Sequence, residues 1–156
     1  MLSVVLFQPE IPPNTGNIIR LCANTGVDLH LIHPLGYSLE DKQLKRAGLD
    51  YHEWARVIEH QDYAAFLGGA GGRRILACSV RGSRTHTEME YRADDLLLFG
   101  PETQGLPKSV LTALPPENTL RIPMQPTSRS LNLSNAVSII LYEALRQIGF
   151  DKLNFI

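Results

Sequence analysis

Cysteine is nearly absent from the chain: Cys22 and Cys78 are the two it has, too distant in sequence for a metal or redox motif and too few for a disulfide framework. That scarcity fits a reducing, cytoplasmic setting. An excess of charge of one sign is missing too. Fifteen Lys and Arg stand against 16 Asp and Glu, a formal charge of -1, so no global basic field announces a nucleic-acid partner and any such site has to be local. No apolar run reaches the roughly 18 residues of a membrane span. The N-terminal "MLSVVLFQPEIPPN" has no basic leader and is broken by Pro9, Pro12 and Pro13, so a soluble, unprocessed protein outside any membrane is expected.

What is present fits one globular unit. A length of 156 residues suits a single domain, 1–156, and 44% hydrophobic with 20% charged residues excludes a disordered or fibrous chain. "SVVLF", "DLHLIHP", "RRILACSV", "DLLLFG" and "TLRIP" are short apolar runs of the kind that form buried parallel strands, and "ARVIEH" is a further candidate. Between them lie helical patterns. Asn14 or Thr15 can cap "NTGNIIRLCANTG", which Gly26 stops, and Ser38 can cap "SLEDKQLKRAG", which ends at Gly48. "QDYAAFLGG" and "LPKSVLTAL" are short helices, and "LSNAVSIILYEALRQIG" is the longest. The alternation predicts an α/β fold with a mostly parallel sheet flanked by helices. "GGAGG" is the only low-complexity stretch and reads as a helix-to-strand turn.

Several chemistries are excluded. The first strand-to-helix turn, "QPEIPPNTGN", holds one glycine where a dinucleotide fingerprint needs three. In "GPETQGLPKS" Lys108 sits three residues beyond Gly105, where a phosphate loop wants it adjacent. His30 and His33 of a strand point to opposite faces and cannot share a metal, and His52, His60 and His86 are scattered in sequence. No nucleophile elbow occurs. Two polar loops remain at the carboxyl ends of strands, where open α/β sheets bind ligands. They are "GPETQGL" after "LLLF" and "PMQPTSRSLNLSN" after "LRI". Gly100 and Gly105 permit close backbone approach to a flat heterocycle, which suits an adenosyl group better than a phosphate. Ser128, Ser130, Asn132, Ser134 and Asn135 offer more polar groups than one helix cap needs, with Asn132 or Ser134 free to serve as that cap. On the last helix Ile139 and Tyr142 widen the apolar stripe, as dimer packing or deeper burial would require. Lys42, Lys45 and Arg46 share one helix face beside Tyr51 and Trp54, a solvated face that could grip RNA phosphates.

On "PEIPPNTGNIIRLCANTG", "KRAGLDYHEW", "LLFGPETQGLP" and "RIPMQPTSRSLNLSNAVSIILYEA" the chain resembles the SPOUT class of RNA methyltransferases. Within it the chain is most similar to small bacterial enzymes that methylate the wobble ribose of certain leucine tRNAs. The resemblance implies a C-terminal trefoil knot, S-adenosylmethionine as methyl donor with S-adenosylhomocysteine as product, no metal, and a homodimer with RNA lying across both subunits. It places Asn14 and Arg20 beside the reacting ribose. Gly100, Glu102, Gly105, Ile122, Met124, Ser130 and Leu131 fall at the cofactor, with Cys78 lining the adenosine pocket through its backbone. The implied target is the 2′-hydroxyl of nucleotide 34, cytidine or 5-carboxymethylaminomethyluridine, in the tRNA anticodon loop.

The implied base, Arg20, is awkward, since a guanidinium ordinarily stays protonated. Arg20 is expected instead to fix a phosphate and stabilise the developing alkoxide, with Ser130 and Asn132 orienting the sugar. Lys42, Lys45, Arg46 and Arg129 are the expected phosphate contacts. Three other readings stay open: a ribose methyltransferase acting on rRNA, a non-catalytic S-adenosylmethionine-binding RNA module, and a flavodoxin-like nucleotide-binding protein.

Overall fold

The computed structural model describes residues 1–151 and 153. Among these residues seven strands form one sheet in the order β3-β2-β1-β6-β4-β7-β5, where β1 is Ser3–Phe7, β2 Asp28–Ile32, β3 Val57–His60, β4 Ile75–Cys78, β5 Arg84–Thr85, β6 Leu96–Phe99 and β7 Thr119–Arg121. Each neighbouring pair is parallel. All the expected strands are found, and the two-residue β5 is an addition too short for periodicity to reveal.

Strand side chains alternate between two cores, as a sheet covered on both faces requires. Val4 and Leu6 of β1 and Leu97 and Phe99 of β6 pack with α1 (Pro12–Thr25) and α6 (Leu133–Ile148). Val5, Phe7, Leu96 and Leu98 pack on the other side, against Phe66 of α4 (Tyr63–Gly69) and Val110 of α5 (Lys108–Thr112). Central strands buried on both faces need no polar alternation, which is why they read as continuous apolar runs.

The helices depart from expectation at their ends. Helix α1 begins at Pro12 with Ile11 as its cap residue and no side-chain cap, so neither Asn14 nor Thr15 caps it. Proline is tolerated in a first turn because its missing N–H would have no helical partner. Asn14 therefore lies inside the helix with its side chain free for other partners. Gly26 stops the helix in the left-handed conformation (φ 72°). The segment from Ser38 forms only one turn, α2 (Lys42–Lys45), capped by Asp41, whose carboxylate accepts from the Gln43 N–H. Ser38 instead accepts from the Glu40 N–H in the preceding turn. An unforeseen turn, α3 (Tyr51–Trp54), follows with a capping box between Asp50 and Glu53. In "GGAGG" two glycines finish α4, and Gly71 and Gly72 take positive φ.

His60 is not isolated: its Nε2 lies 2.8 Å from His30 Nδ1, with the rings stacked. The two residues are on adjacent strands and share a face, a pairing invisible without the β2–β3 register. Trp54 also differs from expectation, since it packs partly against the core while Tyr51 stays 84% exposed. Far from the loops, Asp95 is fully buried and bonded by the Arg74 guanidinium through Nε (2.8 Å) and Nη2 (2.7 Å). No helix among the described residues is long and apolar enough to cross a membrane.

Candidate functional site

At the carboxyl ends of β4, β6 and β7 three loops enclose a cleft of about 1040 Å³. Cys78, Gly100, Glu102, Gly105, Ile122, Met124, Ser130 and Leu131 all line it, as do Asn14 and Asn132. Two far-separated loops thus meet as their polar content suggested. Gly100 cannot be replaced without moving backbone, because a Cβ there would stand 2.3 Å from the Leu106 amide nitrogen. Gly105 closes the same turn at φ 69°.

A chain of hydrogen bonds ties the three motif segments together. The Ser134 N–H and hydroxyl donate to Asn132 Oδ1 (2.9 and 2.7 Å), so Asn132 caps α6. Asn132 Nδ2 donates to Asn14 Oδ1 at 3.0 Å, and Asn14 Nδ2 donates to Glu102 Oε2 at 3.3 Å. Glu102 also accepts from the Glu10 N–H (2.8 Å) and the Ile11 N–H (2.6 Å). Glu10 returns the tie, accepting through Oε1 from the Thr103 N–H and hydroxyl. The Glu102 carboxylate therefore serves as an anchor for the α1 entrance as well as a wall of the cleft. Asn14 is 5% exposed and could hold this position only as an amide that donates and accepts at once.

Cys78 also lines the cleft, and burial pushes its thiol up to about 12, which leaves it unreactive. Burial raises Cys22 as well. Glu10 is held below the usual carboxylate range, first by the Thr103 hydroxyl and then by the Thr103 N–H.

Arg20 is not part of the cleft wall. Its Nε bonds Glu53 Oε2 at 3.1 Å, and its Nη2 bonds the carbonyls of Ala47 (2.6 Å) and Gly48 (3.2 Å). The side chain is still 49% exposed. Lys42 and Lys45 of α2 and Arg46, its C-cap, are exposed and directly precede the Ala47 and Gly48 that Arg20 bonds, with Lys45 bonded to Glu40 at 2.9 Å. Arg129 is exposed in the β7–α6 loop and does not line the cleft.

Sequence reasoning missed the third wall, the β4–β5 loop, which contributes Ser79, Val80, Arg81 and Ser83. A Cβ on Gly82 would stand 2.2 Å from the Leu120 carbonyl carbon, so this loop is pressed against β7. The rule that picked the other two loops, their place after a strand, applies equally to the residues after Cys78.

The SpoU rRNA methylase family matches residues 1–142. The chain belongs to the SpoU methylase family. This SpoU-family chain is 58% identical over 150 residues to a tRNA (cytidine(34)-2′-O)-methyltransferase of Escherichia coli (strain K12), with 96% of both chains covered. A solved structure concerned with 2-OH methylation of C/U34 on tRNA superposes with a TM-score of 0.87 at 50% identity, covering 95% of this chain and 96% of that one. The SpoU methyltransferase AviRb of Streptomyces viridochromogenes, solved with the cofactor AdoMet, superposes with a TM-score of 0.81 at 26% identity. That match covers 95% of this chain and 58% of AviRb. The mostly parallel sheet flanked by helices is thus the SPOUT methyltransferase fold.

Proposed function

We propose that the chain transfers a methyl group from S-adenosylmethionine to the ribose 2′-hydroxyl of nucleotide 34 in tRNA. The target is cytidine or 5-carboxymethylaminomethyluridine of leucine tRNAs, and the enzyme works as a cytoplasmic homodimer. The observation that carries this reading is the 58% identity to a tRNA cytidine-34 methyltransferase along 96% of both chains. An rRNA target finds support in the family's description, but the AdoMet-bound rRNA methyltransferase of Sinorhizobium meliloti is 26% identical and this chain spans only 56% of it.

The cleft suits the donor. Its walls include Phe99, Leu106, Leu111 and Ile122, its floor is the Gly100–Gly105 turn, and one of its few charges, Glu102, is already bonded to main-chain N–H groups. Apolar walls with accessible backbone favour a neutral purine nucleoside over a polyphosphate. Bound there, S-adenosylmethionine would supply an electrophilic methyl group on a sulfonium. The protein's part is alignment and exclusion of water, for which orientation alone is worth up to about 7 to 11 kcal/mol. The trefoil threading of the C-terminal segment belongs to the same reading, as the means of holding the two loops together.

Arg20 contributes as a cation. Three acceptors already surround its guanidinium, and a guanidinium carries its charge in any protein setting, which leaves it to bind a phosphate or a developing alkoxide. Its place outside the single-chain cleft is consistent with a site completed by a second copy of the chain. Arg20→Lys is expected to lower kcat at least tenfold without introducing a lysine-like titration into the pH–rate profile. Activity that titrates with such a group would restore the role of base to this position.

Incubation with labelled S-adenosylmethionine and total RNA, followed by mass spectrometry of digested fragments, tests the function. Methylation at nucleotide 34 of leucine tRNAs is expected. Label confined to rRNA would overturn the assignment, and S-adenosylhomocysteine binding without transfer would favour a non-catalytic RNA module.

A further inference from the structure

A second, smaller cleft of about 250 Å³ lies against the other side of the segment that walls the first, and the two share Pro101, Thr103 and Gln104. Pro34, Leu35 and Pro101 supply apolar walls, while Gln8, Glu10 and Gln104 supply a polar rim. The cleft is firmly built. The Gly36 N–H donates to the Pro9 carbonyl at 2.9 Å, and a Cβ on Gly36 would stand 2.8 Å from Glu10 Cα. Glu10 is held through Oε1 by the Thr103 N–H (3.0 Å) and hydroxyl (2.7 Å).

Gln8 is the one non-glycine with positive φ among the described residues, at 49°. Such a conformation persists where the surroundings impose it, and it gathers at ligand sites. The Gln8 N–H donates to the Ile32 carbonyl at 3.0 Å, which fixes the residue at the end of β1. Among the described residues, neither the Gln8 nor the Gln104 side-chain amide takes part in the Glu10 and Glu102 bonds that frame the cleft.

Apolar walls with a rim of two amides and a carboxylate match the edge of a nucleobase. A carboxylate accepts from the exocyclic amine of cytosine. A side-chain amide carries both a donor and an acceptor and can meet the rest of a pyrimidine edge. Bases of single-stranded loops are splayed out and read on such edges.

We propose that this cleft receives the base of the nucleotide whose ribose is methylated, with Glu10 Oε2 accepting from the cytosine amine and Gln8 and Gln104 reading the remaining edge. The inference rests on the functional reading above. The shared wall puts the ribose of a nucleotide so seated at the rim between the two clefts. Uracil presents a carbonyl where cytosine has the amine, so a carboxylate ranks cytidine above uridine. Glu10→Gln keeps the shape and an acceptor for Thr103 while offering an N–H to that carbonyl.

The test uses the full-length protein and two anticodon stem-loop RNAs that differ only in carrying cytidine or uridine at nucleotide 34. Transfer from labelled S-adenosylmethionine is measured as kcat/KM, and S-adenosylhomocysteine binding is followed by calorimetry. In Glu10→Gln the cytidine-to-uridine ratio is expected to fall about fivefold or more, the lower bound for one base-edge pair, with S-adenosylhomocysteine affinity unchanged. Gln104→Leu is expected to raise KM for both RNAs more than it lowers kcat, and it decides the matter should Glu10→Gln fail to fold. An active wild-type chain whose ratio stays within twofold in Glu10→Gln, or whose RNA KM is unmoved in Gln104→Leu, overturns this inference alone. A wild-type chain that methylates neither RNA overturns the functional reading and the inference with it.

Discussion

His30 and His60 face each other across 2.8 Å with room for one proton between them. One ring has to donate and the other accept, so charging both sets two N–H groups against each other. His30 is lowered from 6.5 to about 4, chiefly by burial, then by His60 and Arg73, against an opposing pull from Asp28. Burial lowers His60 as well. Between about pH 6.5 and 4 the unfolded chain therefore binds more protons than the folded one at His30, and stability rises with pH through that window. The melting temperature is expected to fall as pH drops from 7 to 4.5, and His30→Phe, beside Phe66, is expected to flatten the fall. An equally steep decline in that variant would place the source elsewhere.

At the scale of elements, α1 and α6 share one apolar core and are also tied together at their first turns. Asn14 stands between Asn132, which caps α6, and Glu102, which gathers the N–H groups before α1. Asn14→Ala would leave both partners short of a bond in a nearly closed site, at a cost of about 1 to 3 kcal/mol. Urea denaturation is expected to show that loss, together with a higher KM for S-adenosylmethionine. Unchanged stability and KM would mean that the relay is dispensable.

The relay also marks where sequence stops being informative. Strands such as "LLLF" were legible because burial on both faces writes itself as an apolar run. The meeting of the loops after Phe99 and Ile122 followed from their shared place at strand ends. Yet nothing in "PPNTG" says that Asn14 will bond a residue 118 positions away. Its type and place suggested a cap, and only the prolines ahead of it, read as helix residues, would have argued otherwise. Helix α2 was overdrawn for a related reason: Leu44 is its one buried residue, too few to sustain a longer amphipathic face.

Across the whole molecule, net charge says little, and local distribution says more. Lys42, Lys45 and Arg46 rise from an exposed turn beside Arg20, on a chain of formal charge -1. Reversal of two of them, Lys45→Glu with Arg46→Glu, is expected to weaken tRNA binding and reduce the slope of log affinity against log salt by about 1.4 to 1.8, as for two lost phosphate contacts. Filter binding across a salt series measures both. An unaltered slope would remove this turn from the RNA path.

The position of β1 has a consequence for how the protein comes into being. It is made before every other strand of this sheet, yet it sits between β2 and β6, with Ser3 opposite Asp28 on one flank and Leu96 on the other. At about 5 to 20 residues per second of translation, a newborn chain waits several seconds with "SVVLF" open along one edge before its second neighbour is made. Synthesis order and assembly order are out of step, and the exposed strand is a natural client for a chaperone during that interval.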